Sequence, residues 1–171
     1  MIYEPREDSF LLQKFVKQFV KGKVLDVGTG SGIQALTALE KTADVVASDI
    51  NAECVEFVKA KGVKTIVSDL FSNINSTFDV IIFNPPYLPL DEREDKESAL
   101  STTGGVKGSE VLERFLEQAK AFLNAKGKIL IVVSSLTPDV PALLKKYKYS
   151  YKVLGEEKVS FELLTVYLLE K

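Results

Sequence analysis

The four residues Asn84-Pro85-Pro86-Tyr87 offer the clearest chemistry in the sequence. They follow the apolar residues 80–83, which predict a buried strand, and ligands bind at the carboxyl ends of strands in open α/β sheets. The prolines fix the backbone and keep Asn84 extended, so its carboxamide projects in a set direction. The Asn84 side-chain oxygen and the Pro85 carbonyl can accept hydrogen bonds from a planar NH2 group, on which Tyr87 can stack. Such a clamp would leave the nitrogen lone pair free to attack an electrophile.

The competing interpretation of this tetrapeptide is a rigid turn that leaves a strand. The Pro-Pro pair alone leaves that interpretation open. The asparagine before the pair, the tyrosine after it and the strand ahead of it together favour the clamp, with Asn84, Pro85, Pro86 and Tyr87 contacting the substrate.

A second group of residues predicts a cofactor site. Gly28 and Gly30 belong to a glycine cluster between a predicted strand and a predicted helix, where glycine permits a tight turn and the close approach of another molecule. Asp26 lies just before the cluster. Asp49, about 20 residues on, is placed to bind both hydroxyls of a ribose, although capping of the next helix competes with that role. A nicotinamide cofactor would use a similar turn with the spacing G-x-G-x-x-G, which is absent here.

The end of the third predicted strand extends this cofactor site. Ser68 and Asp69, followed by Leu70, form a polar pair that can meet the amino group and a ring nitrogen of adenine. A hydride-transfer domain does not require that pair, so it favours S-adenosylmethionine over NAD. Asp69 also has a simpler interpretation as a turn residue.

Composition excludes several classes of function. The chain has 171 residues, a net charge of −2, no histidine and a single cysteine, Cys54. Serine–histidine and cysteine–histidine catalysis are therefore excluded within this chain, and we expect no metal site. The absence of a basic excess disfavours nucleic acid as a partner. A polar N-terminus and the lack of apolar runs near 18 residues predict no signal peptide and no membrane span, and thus a cytoplasmic protein.

Strand and helix patterns alternate along most of the chain, which indicates a parallel sheet. The predicted strands are residues 23–27, 45–49, 63–67, 78–83 and 129–134. The predicted helices are residues 33–41, 52–61 and 111–123, preceded by a helix that Asp8 or Ser9 would cap and followed by a short helix that opens at Pro138.

The C-terminal part differs from this alternation. Residues 149–154 and 161–169 are apolar runs joined by residues 155–158, a connector too short for a parallel crossover. The two runs predict an antiparallel hairpin on the sheet edge. The sequence thus predicts an α/β fold with a seven-stranded, mostly parallel sheet and a C-terminal antiparallel hairpin, in a single domain over residues 1–171. This layout resembles the Rossmann-like fold of methyltransferases, which implies a single methyltransferase domain.

The long charged stretch from Leu88 to Lys107 follows directly on the clamp. Loops of this length in compact domains are usually functional or disordered. We predict a mobile flap on the substrate side, and a merely solvated charge run is the alternative.

Acids lie at the ends of the first three predicted strands, and Asn-Pro-Pro-Tyr lies at the end of the fourth. This order is similar to that of S-adenosylmethionine-dependent amino-methyltransferases. More narrowly, residues 3–12 (YEPREDSFLL) and the pattern Gly104-Gly105-x-x-Gly108-x-Glu110-Val111 resemble the HemK family. The best match is its short eukaryotic and archaeal branch, whose members are catalytic subunits that modify the glutamine of the Gly-Gly-Gln loop in class I peptide chain release factors. The resemblance implies N5-methylation of that glutamine with S-adenosylmethionine as cofactor.

The resemblance also assigns residues and a partner. It implies a cofactor site lined by Ser9, Asp26, Gly28, Asp49, Asp69, Leu70 and Asn84, with Asn84, Pro85 and Tyr87 as the catalytic residues. The branch often has glutamate where this chain has Asp26, one methylene shorter. Its members work with a small zinc-binding activator protein that covers an exposed strand edge. The strand from Val63 to Val67 is the predicted edge, so we expect a heterodimer through it.

Two other functions stay open at this point. Adenine-N6 DNA methyltransferases and guanine-N2 RNA methyltransferases share the four-residue clamp, because an exocyclic amine on a base has similar geometry, but they must also extract the base and hold a backbone. A catalytically silent Rossmann-like partner subunit is the other alternative, against which the intact Asp49 and Asn84 argue. A lysine on histone is another substrate that the resemblance to this branch allows. Its ammonium group lacks the planar NH2 that the clamp would bind, so we expect it to be a secondary activity at most.

Overall fold

The computed structural model describes residues 2, 4–87 and 102–171, and a seven-stranded sheet forms its centre. The strands are β1 (Val24–Val27), β2 (Val45–Asp49), β3 (Lys64–Val67), β4 (Phe78–Phe83), β5 (Leu123–Ser134), β6 (Ser150–Val159) and β7 (Glu162–Glu170). The helices are α1 (Glu7–Phe19), α2 (Ile33–Leu39), α3 (Ala52–Lys59), α4 (Glu110–Ala119) and α5 (Val140–Lys146).

The strand order is β3-β2-β1-β4-β5-β7-β6. The first five strands are parallel to one another, and β7 pairs antiparallel with both β5 and β6. The order reverses between β1 and β4, so the carboxyl ends of these two strands border a topological switch point. The predicted α/β fold, mostly parallel with a C-terminal antiparallel hairpin, is confirmed, and β3 lies at the sheet edge as predicted.

Two apolar clusters fill the two faces of the sheet. On one face α1, α2 and α3 pack through Leu12, Ala35 and Val58, and on the other α4 and α5 pack through Phe115 and Leu144. The central strands supply both clusters, because their side chains alternate between faces and both faces are covered. This double burial holds the central strand ends in fixed positions.

Three local predictions were wrong. The helix predicted for residues 111–123 ends at Ala119, and β5 begins at Leu123 and not at residue 129. Residues 155–158 belong to β6 and do not form the hairpin connector; the chain reverses at Ser160, whose φ is +46°. Gly155 marks a register shift in β6, and a Cβ placed there would lie 2.6 Å from the ring of Phe15. Asp8 and Ser9 do not cap α1 either, since the helix begins at Glu7 and Arg6 occupies the cap position.

The amino ends of the central strands meet at Asp79. Its Oδ2 accepts a hydrogen bond from the Lys23 backbone N–H at 2.8 Å, and its Oδ1 accepts one from Asn124 Nδ2 at 2.7 Å. These bonds, that of Asn124 above all, hold the pKa of Asp79 below its usual value. One carboxylate therefore joins the starts of β1, β4 and β5.

Most of the predicted flap, residues 88–101, lies outside the described residues. Among the helices that are described, none is long and apolar enough to cross a membrane.

Candidate active site

A cavity of about 900 Å³ opens at the carboxyl ends of the parallel strands. Its volume is within the range usual for small-molecule sites. The structure brings every predicted site residue to its wall: Ser9, Asp26, Gly28, Gly30, Asp49, Asp69, Leu70, Asn84, Pro85, Pro86 and Tyr87.

The glycine turn between β1 and α2 forms the floor of the cavity. Gly28 has a φ of +62°, in the left-handed region that favours glycine. A Cβ there would lie 3.4 Å from the ring of Phe83. The turn is fastened by Thr29, whose backbone N–H donates to the Ser48 carbonyl at 2.9 Å. The backbone is thus open to close approach from the cavity side.

Asp26 is a buried acid inside β1. Its Oδ2 accepts hydrogen bonds from Thr29 Oγ1 at 2.7 Å and from the Ala35 backbone N–H at 3.1 Å, which ties the strand to the first turn of α2. Burial raises the pKa of Asp26 to about 7, because the two hydrogen bonds compensate only part of the lost hydration. A cationic group bound nearby would favour the ionised carboxylate.

Asp49 ends β2 and organises the neighbouring turn. Its Oδ2 accepts from the Gly30 backbone N–H and its Oδ1 from the Asn51 backbone N–H, both at 2.9 Å. Burial raises its pKa. Asn51, and not Asp49, caps α3 by accepting from the Glu53 N–H. The capping role that competed for Asp49 in the sequence is therefore filled by another residue.

Asp69 stands at the rim with a partner that the sequence did not indicate. Its Oδ2 lies 2.8 Å from Arg114 Nη2, and both side chains are about half exposed. Arg114 projects from α4 and lines the same cavity. Leu70, next to Asp69, is buried and has a φ of +48°, an uncommon conformation for a side chain of this size. The turn after β3 is therefore locally strained where it faces the cavity.

Asn84 follows β4, and its amide has two different environments. Its Nδ2 donates to Asp8 Oδ2 at 3.0 Å. Its Oδ1 is buried and has no hydrogen-bond partner among the described residues. A buried acceptor without a donor costs about 1–3 kcal/mol, which a bound donor group would recover. Ser9, predicted for the cofactor, donates its hydroxyl to Asp8 Oδ1 at 3.2 Å.

The second HemK-like pattern packs against the clamp. A Cβ added to Gly104 would lie 2.6 Å from the Pro86 carbonyl oxygen, so only glycine lets the two backbones approach this closely. Glu110 fixes the segment that follows, because its carboxylate accepts from the Lys107 and Ser109 backbone N–H groups. Two stretches that are distant in the sequence thus form one wall.

Sequence reasoning missed three residues of the site: Asp8, Gln34 and Arg114. Gln34 donates from Nε2 to the Ser9 carbonyl at 2.8 Å, and its Oε1 is buried without a partner among the described residues. Asp8 had a usable signal, since it lies four residues before Leu12 on the buried face of α1. Gln34 and Arg114 had none, because polar residues on helices are usually solvated.

The acceptor groups of the cavity define the ligand chemistry that fits it. The carboxylates of Asp26, Asp49 and Asp69, with the Asn84 oxygen that no described residue pairs, favour a ligand rich in N–H and O–H donors. S-Adenosylmethionine has such donors in its ribose hydroxyls, adenine amino group and ammonium group, so the residues present fit it. Within the described ranges, no group of three histidine, cysteine or acidic residues could hold a metal ion.

Comparisons with known proteins agree with this chemistry. The family model "Methyltransferase small domain" matches residues 7–164. A Methanocaldococcus jannaschii protein named "Putative protein N5-glutamine methyltransferase" is 36% identical over 96% of this chain and 89% of its own length. Ribosomal RNA small subunit methyltransferase C of Haemophilus influenzae is 30% identical over 85% of this chain, which spans only 42% of that relative.

A solved structure extends the comparison to the whole fold. The E. cuniculi Mtq2–Trm112 complex, described as responsible for methylation of the translation termination factor eRF1, contains a chain with a TM-score of 0.81 and 28% identity. The match covers 99% of this chain and 98% of that one. The chain belongs to the methyltransferase small domain family and is an S-adenosylmethionine-dependent methyltransferase.

Proposed function

We propose that the protein methylates the side-chain nitrogen of the glutamine in the Gly-Gly-Gln loop of a class I peptide chain release factor. The observation that carries the proposal is the buried Oδ1 of Asn84 at the carboxyl end of β4, which lies on the wall of the cavity and has no hydrogen-bond partner among the described residues. A carboxamide NH2 is a planar donor of the kind that this acceptor lacks.

The chain's own residues would act by holding that nitrogen. S-Adenosylmethionine supplies a methyl group on a positively charged sulfonium. Asn84 Oδ1 and the Pro85 carbonyl would each accept a hydrogen bond from one N–H of the substrate amide, and Tyr87 would lie against its plane. The amide would then be held with its nitrogen directed at the methyl group, and positioning of this kind can contribute several kcal/mol to a rate. As the bond from nitrogen to the methyl carbon formed, the bond from sulfur to that carbon would break, S-adenosylhomocysteine would leave, and one amide proton would pass to solvent.

The cofactor would lie along the first half of the sheet. We assign the ribose hydroxyls to Asp49, the adenine edge to Asp69 and Leu70, and the ammonium group to Asp26. Ser9, Gly28 and Gly30 would line the path between them. The raised pKa of Asp26 supports its assignment. Burial disfavours the ionised carboxylate, and the ammonium group would be a cationic partner that favours it.

Relatives support the substrate class. The M. jannaschii relative carries the protein N5-glutamine methyltransferase name over almost its full length, and the E. cuniculi neighbour is described by its action on a termination factor. Because the proposed substrate is a release factor, we expect the reaction to take place in the cytoplasm. We also propose that the whole chain is one methyltransferase domain.

The test is transfer of labelled methyl groups from S-adenosylmethionine to a class I release factor. Two forms of the factor are compared, one with the intact loop and one with its glutamine replaced by alanine. Label on the intact loop alone supports the proposal. Equal label on both forms would contradict it, because the acceptor would then lie elsewhere on the factor.

The ribosomal RNA relative supplies a second candidate, an exocyclic amine on a nucleic acid base. The assay therefore includes 16S ribosomal RNA and duplex DNA as competing acceptors. Label on either nucleic acid, with none on the release factor, would keep the Asn84 chemistry and replace the substrate.

We further propose a small zinc-binding activator protein as a partner, forming a heterodimer through β3. Three observations support this surface. Within the described residues β3 is an edge strand that pairs with β2 alone, its last residue Val67 is 45% exposed, and the exposed aromatic Phe57 lies on the adjacent α3. An open strand edge flanked by apolar side chains is suited to strand addition. The E. cuniculi neighbour was solved as a complex with a second protein.

A further inference from the structure

Asp8 is a buried carboxylate in the first turn of α1 that the proposed chemistry does not use. It is 3% exposed. Its Oδ1 accepts from the Ser9 backbone N–H at 2.6 Å and from the Ser9 hydroxyl at 3.2 Å, while its Oδ2 accepts from Asn84 Nδ2 at 3.0 Å. Burying a charge is costly unless hydrogen bonds compensate it, so its position beside Asn84 calls for an explanation.

The contact restricts the Asn84 amide to one of two orientations. A carboxylate only accepts hydrogen bonds, whereas a primary amide has a donor end and an acceptor end. Facing Asp8, Asn84 must present its NH2, and its oxygen is then the end that stays unpaired. The reverse orientation would set two oxygens against each other.

We propose that Asp8 is a positioning residue that sets the orientation of the Asn84 amide, so that the oxygen and not the nitrogen meets the substrate. This inference rests on the proposed function and adds a source for its selectivity. With the oxygen presented, the site accepts NH2 donors such as a glutamine side chain. With the nitrogen presented, it would repel them.

The surroundings of Asp8 hold it in place for this role. Ser9 donates twice to one of its oxygens, and the Ser9 carbonyl accepts from Gln34 Nε2 at 2.8 Å. Asp8 shares the buried face of α1 with Leu12 and Val16, which pack against the sheet. The carboxylate is thus fixed from two helices, and the Asn84 amide is oriented by a rigid group.

The first variant is Asp8→Asn, which keeps the shape and reverses the polarity. The new side chain will keep its oxygen toward the two Ser9 donors and present its NH2 to Asn84. Asn84 must then turn its own oxygen toward position 8, and its NH2 faces the substrate. We expect kcat to fall by about 100-fold or more, with S-adenosylmethionine affinity within about threefold of wild type.

Two further variants separate positioning from simple loss of a charge. Asp8→Ala leaves the Asn84 amide free to adopt either orientation, so it should be faster than Asp8→Asn. In the exchanged pair Asp8→Asn with Asn84→Asp, the carboxylate accepts from position 8 at one oxygen and offers the other to the substrate. We expect that pair to exceed Asp8→Asn by about tenfold.

Asp44→Asn is the matched control, because Asp44 is exposed and lies just before the amino end of β2, whereas the cavity lies at the carboxyl ends of the strands. It should retain wild-type turnover. Thermal unfolding of each variant shows whether it is folded. An alanine variant slower than Asp8→Asn, or an exchanged pair no faster than Asp8→Asn, would overturn the inference.

A readout without substrate separates this inference from the proposed function. Nuclear magnetic resonance of the Asn84 side-chain NH2, assigned by its loss in Asn84→Ala, reports the contact directly. Slow hydrogen exchange in wild type and fast exchange in Asp8→Ala would support the inference even if the release factor proved not to be the substrate. Equal exchange rates would overturn it. Absence of methyl transfer by wild type would count against the proposed substrate alone.

Discussion

Replacement of Asp26 by asparagine should make the free energy of unfolding less dependent on pH. Burial raises the pKa of this carboxyl from an ordinary value of 3.8 to about 7. Between these values the unfolded chain has released the proton and the folded chain retains it, so stability falls as the pH rises through this window. Both wild-type hydrogen bonds use one oxygen, Oδ2, so an asparagine oxygen can accept them from Thr29 and Ala35.

The size of the effect follows from the width of the window. Each pH unit between the two pKa values costs the wild type about 1.36 kcal/mol. From pH 5.5 to pH 7 the wild type should therefore lose about 2 kcal/mol relative to Asp26→Asn, and above pH 7 the difference should level off. The other titrating groups are common to both proteins and largely cancel in the comparison.

Urea unfolding of the cofactor-free proteins, followed by circular dichroism at several pH values, measures this difference. Asp44→Asn, the same change at an exposed site, should show no comparable trend. A stability difference between wild type and Asp26→Asn that stays constant from pH 5.5 to 8 would refute the reasoning, because the carboxyl would then have the same pKa in the folded and unfolded chains.

Three other changes test the clamp, its neighbouring wall and the sheet edge. Asn84→Ala should lower kcat by about three orders of magnitude while S-adenosylmethionine affinity, measured by calorimetry, stays within about tenfold; near-normal turnover would disprove its role. Gly104→Ala should reduce both turnover and thermal stability, because a Cβ there meets the Pro86 carbonyl. Gly62→Ala is its control, because a Cβ at Gly62 enters open space. This control should lose about 1–2 kcal/mol of stability from its positive φ and keep its turnover unchanged. Val67→Lys should leave the free energy of unfolding within about 0.5 kcal/mol and weaken binding of the activator in a gel-filtration assay; undiminished binding would move the interface away from β3.

The spacing of apolar residues, together with the glycine, proline and polar residues that bound each run, predicted most of the fold. β2 and β4 have the bounds that the sequence predicts, because each is a short apolar run closed by a polar residue at the cavity. Gly155 misled the prediction, since a glycine followed by charged residues is typical of a turn. In the structure it makes room for Phe15, and the charged residues after it lie on an edge strand. The sequence contains no local sign of the contact between Phe15 and Gly155, which lie 140 positions apart.

The candidate site was predictable where it follows strand ends. Asp49 and Asn84 directly follow or end strands, so topology alone brings them together. The pairing of Asp69 with Arg114 joins residues 45 positions apart across the cavity and could not be predicted from either position. The contact of Asp8 with Asn84 spans 76 positions and depends on how α1 docks on the sheet. These are tertiary consequences of packing, for which local patterns carry no signal.

The hydrogen bonds that Asp79 accepts from Lys23 and Asn124 have a consequence for how this protein can be altered by mutation. Asp79 joins β1, β4 and β5 at the amino ends of these strands, and the cavity lies at their carboxyl ends. Residues that hold the strands together and residues that meet ligands are thereby separated by the length of a strand. A library randomised at the clamp, with Gly104, Asp79, Lys23 and Asn124 kept fixed, should yield a high fraction of folded members, which makes the protein a practical starting point for selecting enzymes that modify other amide or amine acceptors.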